Sequence, residues 1–364
     1  MMPRPAGAGW GGGLRGAAVS SRVRDSDLAA FAATGGNVVR VMCTQHPLRE
    51  LSAPYRLDQA SFRRLDQILA ACQRNRLQVV LDPHTFVGMS TRYTCYPTDQ
   101  LWKSAHFQDL AVELWSYVAR RYRSAGDLIV GYDLLNEPAV PDISANRGLA
   151  SWNALARRMA AAVREQDSHT HLVIEPAVGP GPGGWHDRFS AMKYLLAPPD
   201  GRVVVSPHMY APHSFTFQGV NGHASGYSYP GRAEGRYWDK SALAAYMEPA
   251  RAYQRRHHVP VLIGEFSAAR WTGADGVRYL RDNIDLFEQW GWDWTYVGWR
   301  EYEGWDAELG PNPNNRRRQD STPRMNLLRR YYGRNGAVRE TRRPAPLPRR
   351  RGRVPLPPIP LQSG

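Results

Sequence analysis

Apolar positions in this chain fall into short, nearly unbroken runs that alternate with longer stretches of three- and four-residue spacing. The runs lie at 14–19, 37–42, 77–84, 128–136, 171–177, 202–210, 259–266 and 292–299. Apolar runs without strict alternation predict strands buried on both faces. Between them, 57–73, 107–122, 152–164, 242–257 and 276–290 repeat apolar residues at helical spacing. Strands that alternate with amphipathic helices predict a parallel sheet covered by helices. Eight strands favour an α/β fold closed as a (β/α)8 TIM barrel over an open doubly wound sheet. The run at 14–19 is the weakest of the eight. No glycine-rich phosphate loop follows it, which argues against dinucleotide binding.

The remainder of the chain bounds the domain. Residues 1–13 are Gly-rich and predicted flexible, 14–335 form one domain, and 336–364 are a Pro/Arg-rich tail predicted disordered. The formal charge of +14 is unevenly spread. From 311 to 364 there are fourteen arginines against two acids, Asp320 and Glu340, so the body is close to neutral. Localised in this way, the charge does not support a nucleic-acid-binding domain. Only Lys103, Lys193 and Lys240 are lysines, so arginine carries the positive charge throughout.

Cys43, Cys72 and Cys95 form no CxxC, which disfavours a zinc ribbon or a thioredoxin-like motif. Cys43 and Cys95 fall in loops on one face, where an oxidising compartment would permit a disulfide between them. No apolar run reaches the roughly 18 residues of a membrane span. The opening residues have no apolar h-region, so no signal peptide is visible in them.

Two long polar insertions, 85–104 and 211–239, follow the third and sixth strands. They leave the strand ends where barrel enzymes build their sites. The fourth strand ends Asn136-Glu137-Pro138 and the seventh ends Gly264-Glu265-Phe266. Strands four and seven face each other across a barrel mouth. Two carboxylates placed there match what cleavage of a glycosidic bond needs, one proton donor and one nucleophile. A lone Asn-Glu-Pro is a weak signal. Its position, with a second acid across the mouth, strengthens it.

The set of strand-end residues resembles glycoside hydrolase family 5, the cellulase family. The resemblance rests on Arg40 in the second strand, His84 ending the third, Asn136 and Glu137 ending the fourth, His208-Met209-Tyr210 in the sixth, Glu265 in the seventh and Trp299 ending the eighth. It implies a catalytic barrel acting as a retaining glycoside hydrolase on β-linked glucan, most plainly an endo-β-1,4-glucanase. β-Mannan, xyloglucan and small β-glucosides stay open, because loops decide the substrate. It also implies a secreted or periplasmic enzyme, active as a monomer, with no cofactor, no metal, no nucleic-acid partner and no membrane partner.

Each residue then has an expected role. Glu137 is the acid/base and Glu265 the nucleophile. Arg40 and Tyr210 donate to Glu265. His208 orients Glu137, whose pKa should be raised by burial and by repulsion from Glu265. Asn136 and His84 bond sugar hydroxyls, and Trp299 offers the sugar ring a flat apolar face. Asp82 is expected behind the site, while Glu175 and Glu301 could line it. Trp102, Trp238, Trp271, Trp305 and Tyr93 are candidates for outer sugar subsites. Taken singly, His84, Tyr210 and Trp299 would pass for core side chains and Arg40 for a structural ion pair. His169-Thr170-His171 has the spacing of a metal motif but precedes the fifth strand, on the face opposite the site. The competing reading is a catalytically idle glycan-binding barrel on the same scaffold.

Overall fold

A computed structural model describes Trp10 and residues 12–335, so the tail expected at 336–364 lies outside the described residues. Eight parallel strands form the barrel wall. They are β1 (Arg15–Ser20), β2 (Val38–Met42), β3 (Gln78–Asp82), β4 (Ile129–Asp133), β5 (His171–Ile174), β8 (Val203–Val205), β11 (Leu262–Phe266) and β12 (Asp293–Tyr296). They pair in the order β11-β12-β1-β2-β3-β4-β5-β8, with register shifts in the β3–β4 and β11–β12 ladders. Single bridges from Val205 to Val261 and from Met209 to Phe266 close the ring between β8 and β11. Two hairpins stand outside the wall, β6 (Gly179–Gly181) with β7 (Gly184–His186) after β5, and β9 (Gly231–Ala233) with β10 (Arg236–Trp238) after β8.

The expected helices are present as α2 (Gln59–Arg74), α3 (Ala105–Tyr122), α4 (Trp152–Arg164), α6 (Lys240–His257) and α7 (Gly273–Trp290). Asp58, Ser104, Ser151 and Asp239 cap four of them through side-chain oxygens that accept backbone N–H groups. Three helices join them, α1 (Asp25–Ala33), the short α5 (His213–Thr216) and α8 (Pro323–Tyr332). No described helix is long and apolar enough to cross a membrane.

Alternation along the strands divides the barrel interior into layers. Val38, Val80, Val173, Val204 and Leu262 pack with Leu14 and Trp10 into an apolar plug. Two residues further along the same strands stand Arg40, Asp82, Glu175, Ser206 and Gly264, and His84 and His208 follow after two more. The interior therefore turns from dry to ionic toward the C-terminal mouth. The outward residues, such as Val39, Val41, Val79 and Leu81, belong to the large core shared with the helices.

Trp10 corrects the expectation of a flexible lead at that position. Its ring is buried, its indole N–H donates to Asp293 Oδ2 at 2.6 Å, and it meets the His171 ring edge-on at 5.3 Å. Gly131 makes room for it, since a Cβ there would lie 3.3 Å from the indole and 2.7 Å from Val173. Cys43, Cys72 and Cys95 are all buried free thiols, so no disulfide joins Cys43 to Cys95.

Candidate active site

The ionic layer is built around Arg40, whose side chain is fully buried. Its Nε donates to Asp133 Oδ2 at 2.8 Å and its Nη1 to Glu265 Oε1 at 2.8 Å. Its Nη2 reaches Asn136 Oδ1 at 2.9 Å, Glu175 Oε1 at 3.1 Å and Asp82 Oδ2 at 3.0 Å. Burying a cation costs several kcal/mol unless opposite charges and hydrogen bonds surround it, as they do here. The carboxylates divide in response. Burial would raise Asp82, but Arg40 and His84 outweigh it and hold Asp82 below its ordinary range. Burial and the neighbouring Glu175 push Asp133 well up, despite Arg40.

Glu265 stands at the end of β11, nearly buried, with both oxygens held. Oε1 accepts from Arg40 and Oε2 accepts from the Tyr210 hydroxyl at 3.0 Å. Burial and the charge of Glu265 push the Tyr210 phenol far above its usual value, so it remains a donor.

Glu137 follows β4 on a left-handed backbone, φ 45°. A non-glycine residue held there carries strain of about 1–3 kcal/mol, which the surroundings must offset. Its N–H donates to Glu175 Oε2 at 2.9 Å. Glu175 itself is fully buried, so it lies beneath the site and does not line the cleft. Glu137 Oε1 takes two cationic donors, His208 Nδ1 at 2.9 Å and Arg188 Nη2 at 2.6 Å. Burial opposes ionisation here, but the charge of Arg188 and the bond from His208 win, and the carboxyl lies well below its usual range. This reverses the expectation of a raised Glu137. The reason is Arg188, on the loop after β7, which no strand-end motif indicates.

Burial pulls the His208 pKa down, but Glu175, Glu265 and the bond to Glu137 outweigh it and push it up to about 10. Its ring passes close to the β11 backbone: a Cβ on Gly264 would lie 2.9 Å from His208 Nε2 and 2.5 Å from Ser206 Oγ. His84, also left-handed at φ 64°, sets Nδ1 2.5 Å from Asp82 Oδ2. Asn136 is fixed at both ends, with Oδ1 on Arg40 and one N–H on the Tyr93 carbonyl at 2.8 Å. Glu301 is half-buried beside Gly298, and burial with the charge of Glu265 raises it.

Among the described residues, Glu137, His208 and Glu265 are the one group of donors close enough to share a metal ion. Arg188 and Arg40 already occupy the charge of the two carboxylates, which fits an ion-paired acid pair better than a cation site.

The aromatic assignments need correction. Trp299 is buried, donates its indole N–H to the Asp27 carbonyl at 2.8 Å and meets Phe31 edge-on, with Arg300 over its ring. It has no open face for a sugar, because β12 ends at Tyr296 and the following turn carries Trp299 toward α1. Trp102 and Trp238 are buried too, and Arg236 lies 3.6 Å from the centroid of the Trp238 ring. Trp305 is buried against Phe217, near Tyr210. Trp271 is half-buried and donates to the Gln218 carbonyl at 2.6 Å. Trp102, Trp238 and Trp305 are buried, while Trp271 keeps part of its surface exposed. Among the described residues the exposed aromatics are Tyr93 and Tyr96 after β3, Trp185 after β5, Tyr237 after β8 and Tyr302 after β12.

Residues 12–302 match the family model for cellulase, glycosyl hydrolase family 5. Endoglucanase C of Acetivibrio thermocellus is 25% identical over 306 residues, covering 75% of this chain and 84% of that protein. Cellodextrinase A of Ruminococcus flavefaciens is 27% identical over 199 residues, 54% of each chain. A Thermotoga maritima endoglucanase solved with mannotriose superposes with a TM-score of 0.66 at 18% identity, covering 87% of this chain and 98% of that one. A mutant form solved with cellobiose gives 0.67 at 20% identity, covering 87% and 96%. With the family model spanning most of the barrel and curated relatives named as glucan hydrolases, the chain belongs to glycosyl hydrolase family 5 and is a cellulase-like O-glycosyl hydrolase.

Proposed function

We propose that the protein is a retaining endo-β-1,4-glucanase with Glu265 as nucleophile and Glu137 as acid/base. One observation carries the mechanism: Glu137 and Glu265 each bring a carboxylate oxygen to within 4.8 Å of the other and of His208. Retaining enzymes hold their two carboxyl groups about 5–5.5 Å apart, whereas inverting enzymes leave about 6.5–9.5 Å for a water between them.

In the first half-reaction a Glu265 oxygen bonds to the anomeric carbon. The glycosidic C–O bond breaks, and its oxygen takes a proton from Glu137. In the second, water attacks the anomeric carbon and gives its proton to the Glu137 carboxylate. The sugar–Glu265 ester bond breaks, and the carboxylate is restored. Arg40 and Tyr210 aim Glu265. Glu175 and His208 aim Glu137, and the second N–H of Asn136 is free for the sugar 2-hydroxyl. Tyr93, Trp185, Tyr237 and Tyr302 are the candidates for stacking further sugars.

β-1,4-Glucan is favoured as substrate by the names of the curated relatives. A mannan oligosaccharide bound to a solved relative keeps β-mannan in the test. Such polymers are met outside the cell, which favours a secreted or periplasmic enzyme. The test is reducing-sugar release from carboxymethylcellulose, mixed-linkage glucan, mannan, xyloglucan and xylan, with chelator and with Glu137→Ala and Glu265→Ala controls. Release from glucans that survives chelator and is lost in both variants supports the reading. A folded protein inactive on every polymer and on aryl β-glycosides would shift it to glycan binding alone.

A further inference from the structure

The reaction asks Glu137 to give up a proton in its first half, yet its 2.6 Å ion pair with Arg188 favours the anion. Arg188 is responsible. The chain leaves the β6–β7 hairpin through Asp187, whose Oδ1 accepts from the N–H groups of Phe189 and Ser190 at 3.0 and 2.8 Å. This tight turn directs Arg188 to the mouth, where its Nη2 lies 2.6 Å from Glu137 Oε1. The same oxygen takes His208, so Oε1 is fully occupied and Oε2 is left for the glycosidic oxygen.

Among the described residues, the ion pair with Glu137 is the one short contact that holds the Arg188 guanidinium. Its side chain is 24% exposed, it pairs with Glu137, and its Nε is buried with no hydrogen-bond partner. The exposed ring of Trp185 stands three residues before it, on β7.

We propose that Arg188 is a substrate-displaced clamp on the acid/base: while paired it keeps Glu137 in its base form, and a sugar on the leaving-group side moves it away. Glu137 then takes a proton from solvent, passes it to the departing oxygen, and recovers one from the attacking water. That proton returns to solvent when product leaves and the pair re-forms. The clamp rests on the assignment of Glu137 as acid/base. Glu137 is also faced by His208, His84, Glu175, Glu265, Tyr210 and His213. Arg188 is also faced by Glu175, Glu265 and Tyr246, and His213 feels its charge. These groups stay in place in the variants below, so a change in profile reports Arg188. Arg188 is a positioning residue in this account, since it acts through Glu137.

The test compares phenyl β-cellobioside, whose departure needs a proton, with 2,4-dinitrophenyl β-cellobioside, whose departure does not. Arg188→Gln should move the alkaline limb of kcat/KM for the phenyl substrate up by at least one pH unit. It should also raise the phenyl-to-dinitrophenyl rate ratio at least tenfold at neutral pH. Arg188→Lys, which keeps a shorter cation, should place the limb between the two. An unmoved limb, or equal loss on both substrates, overturns the clamp. If Arg188→Gln does not fold, Arg188→Lys decides alone, and an unmoved limb there overturns it equally. Glu137→Ala separates the two failures. If it leaves the phenyl rate intact, the acid/base assignment falls. If it abolishes that rate while the Arg188 variants move nothing, the clamp alone falls.

Discussion

At the scale of the residue, the site is a set of carboxylates told apart by their cations. Glu265 is shared between Arg40 and Tyr210, Glu137 between Arg188 and His208, and Asp133 is left with only part of Arg40. Such differences in partner are what separate a nucleophile from an acid/base made of the same side chain. Gly264 tests how tightly this geometry is held. Its missing side chain is the space occupied by His208 and Ser206. Gly264→Ala should push the imidazole off Glu137 and lower kcat by about 100-fold, the order expected for a misplacement of about 1 Å. Steady-state kinetics beside a circular dichroism check of folding would measure it; an unchanged kcat would show that the ring position is not critical.

Most of the candidate site residues were legible in the sequence, because a strand end fixes where a side chain goes. Arg40 and Glu265 lie in parallel strands, His84, Asn136, Glu137, His208 and Tyr210 follow one, and the fold brings them together at the mouth. Arg188 was not legible. It sits in a loop with no periodicity, and only tertiary contact brings it to Glu137, so the downward shift of Glu137 has no signal in the strand-end pattern. A signal did exist: the Gly/Pro-rich 179–184 stretch before Trp185 and Arg188 marks a hairpin on the functional face. Trp299 failed for the opposite reason. The apolar run extends to it, but the strand stops three residues earlier.

At the scale of the element, short unbroken apolar runs located all eight barrel strands, and spacing located the five long helices between them. The missed helices have identifiable causes. Ala29, Ala30, Ala32 and Ala33 blur any apolar stripe in α1. In α8 the Thr322 cap and Pro323 at the first turn were readable start signals, but the surrounding arginines masked them. The Trp10 plug was missed because its neighbours are glycines, and its burial depends on the space above Gly131. Trp10→Ala should therefore empty the base of the barrel and lower stability by about 3–5 kcal/mol. Denaturant unfolding would show this as a lower midpoint, with kcat at low temperature nearly unchanged since the plug lies below the ionic layer. A midpoint equal to wild type would mean that the plug contributes nothing.

At the scale of the whole molecule, the buried ionic layer makes stability depend on pH. The pKa of His208 is raised from 6.5 to about 10 in the folded state. Its contribution is fully present below the unfolded value and is lost as pH rises through the folded one. Asp133, also raised, acts in the same direction from a lower pH. Glu137 and Asp82 are lowered, so their contributions appear above the ordinary carboxylate range and vanish in acid. The melting temperature should therefore fall between pH 6.5 and about 10, and His208→Asn should flatten that fall. A variant with the same slope as wild type would remove His208 from this balance.

The assignment of Glu265 as nucleophile is tested most directly by trapping the covalent intermediate. A 2-deoxy-2-fluoro β-cellobioside with a dinitrophenyl leaving group forms the glycosyl-enzyme quickly and releases it slowly. Intact-mass and peptide mass spectrometry then locate the sugar. One fluoroglycosyl group per chain is expected, esterified to Glu265, and none on Glu265→Ala. A label on another carboxylate, or no label on an enzyme that still cleaves the parent cellobioside, would contradict it.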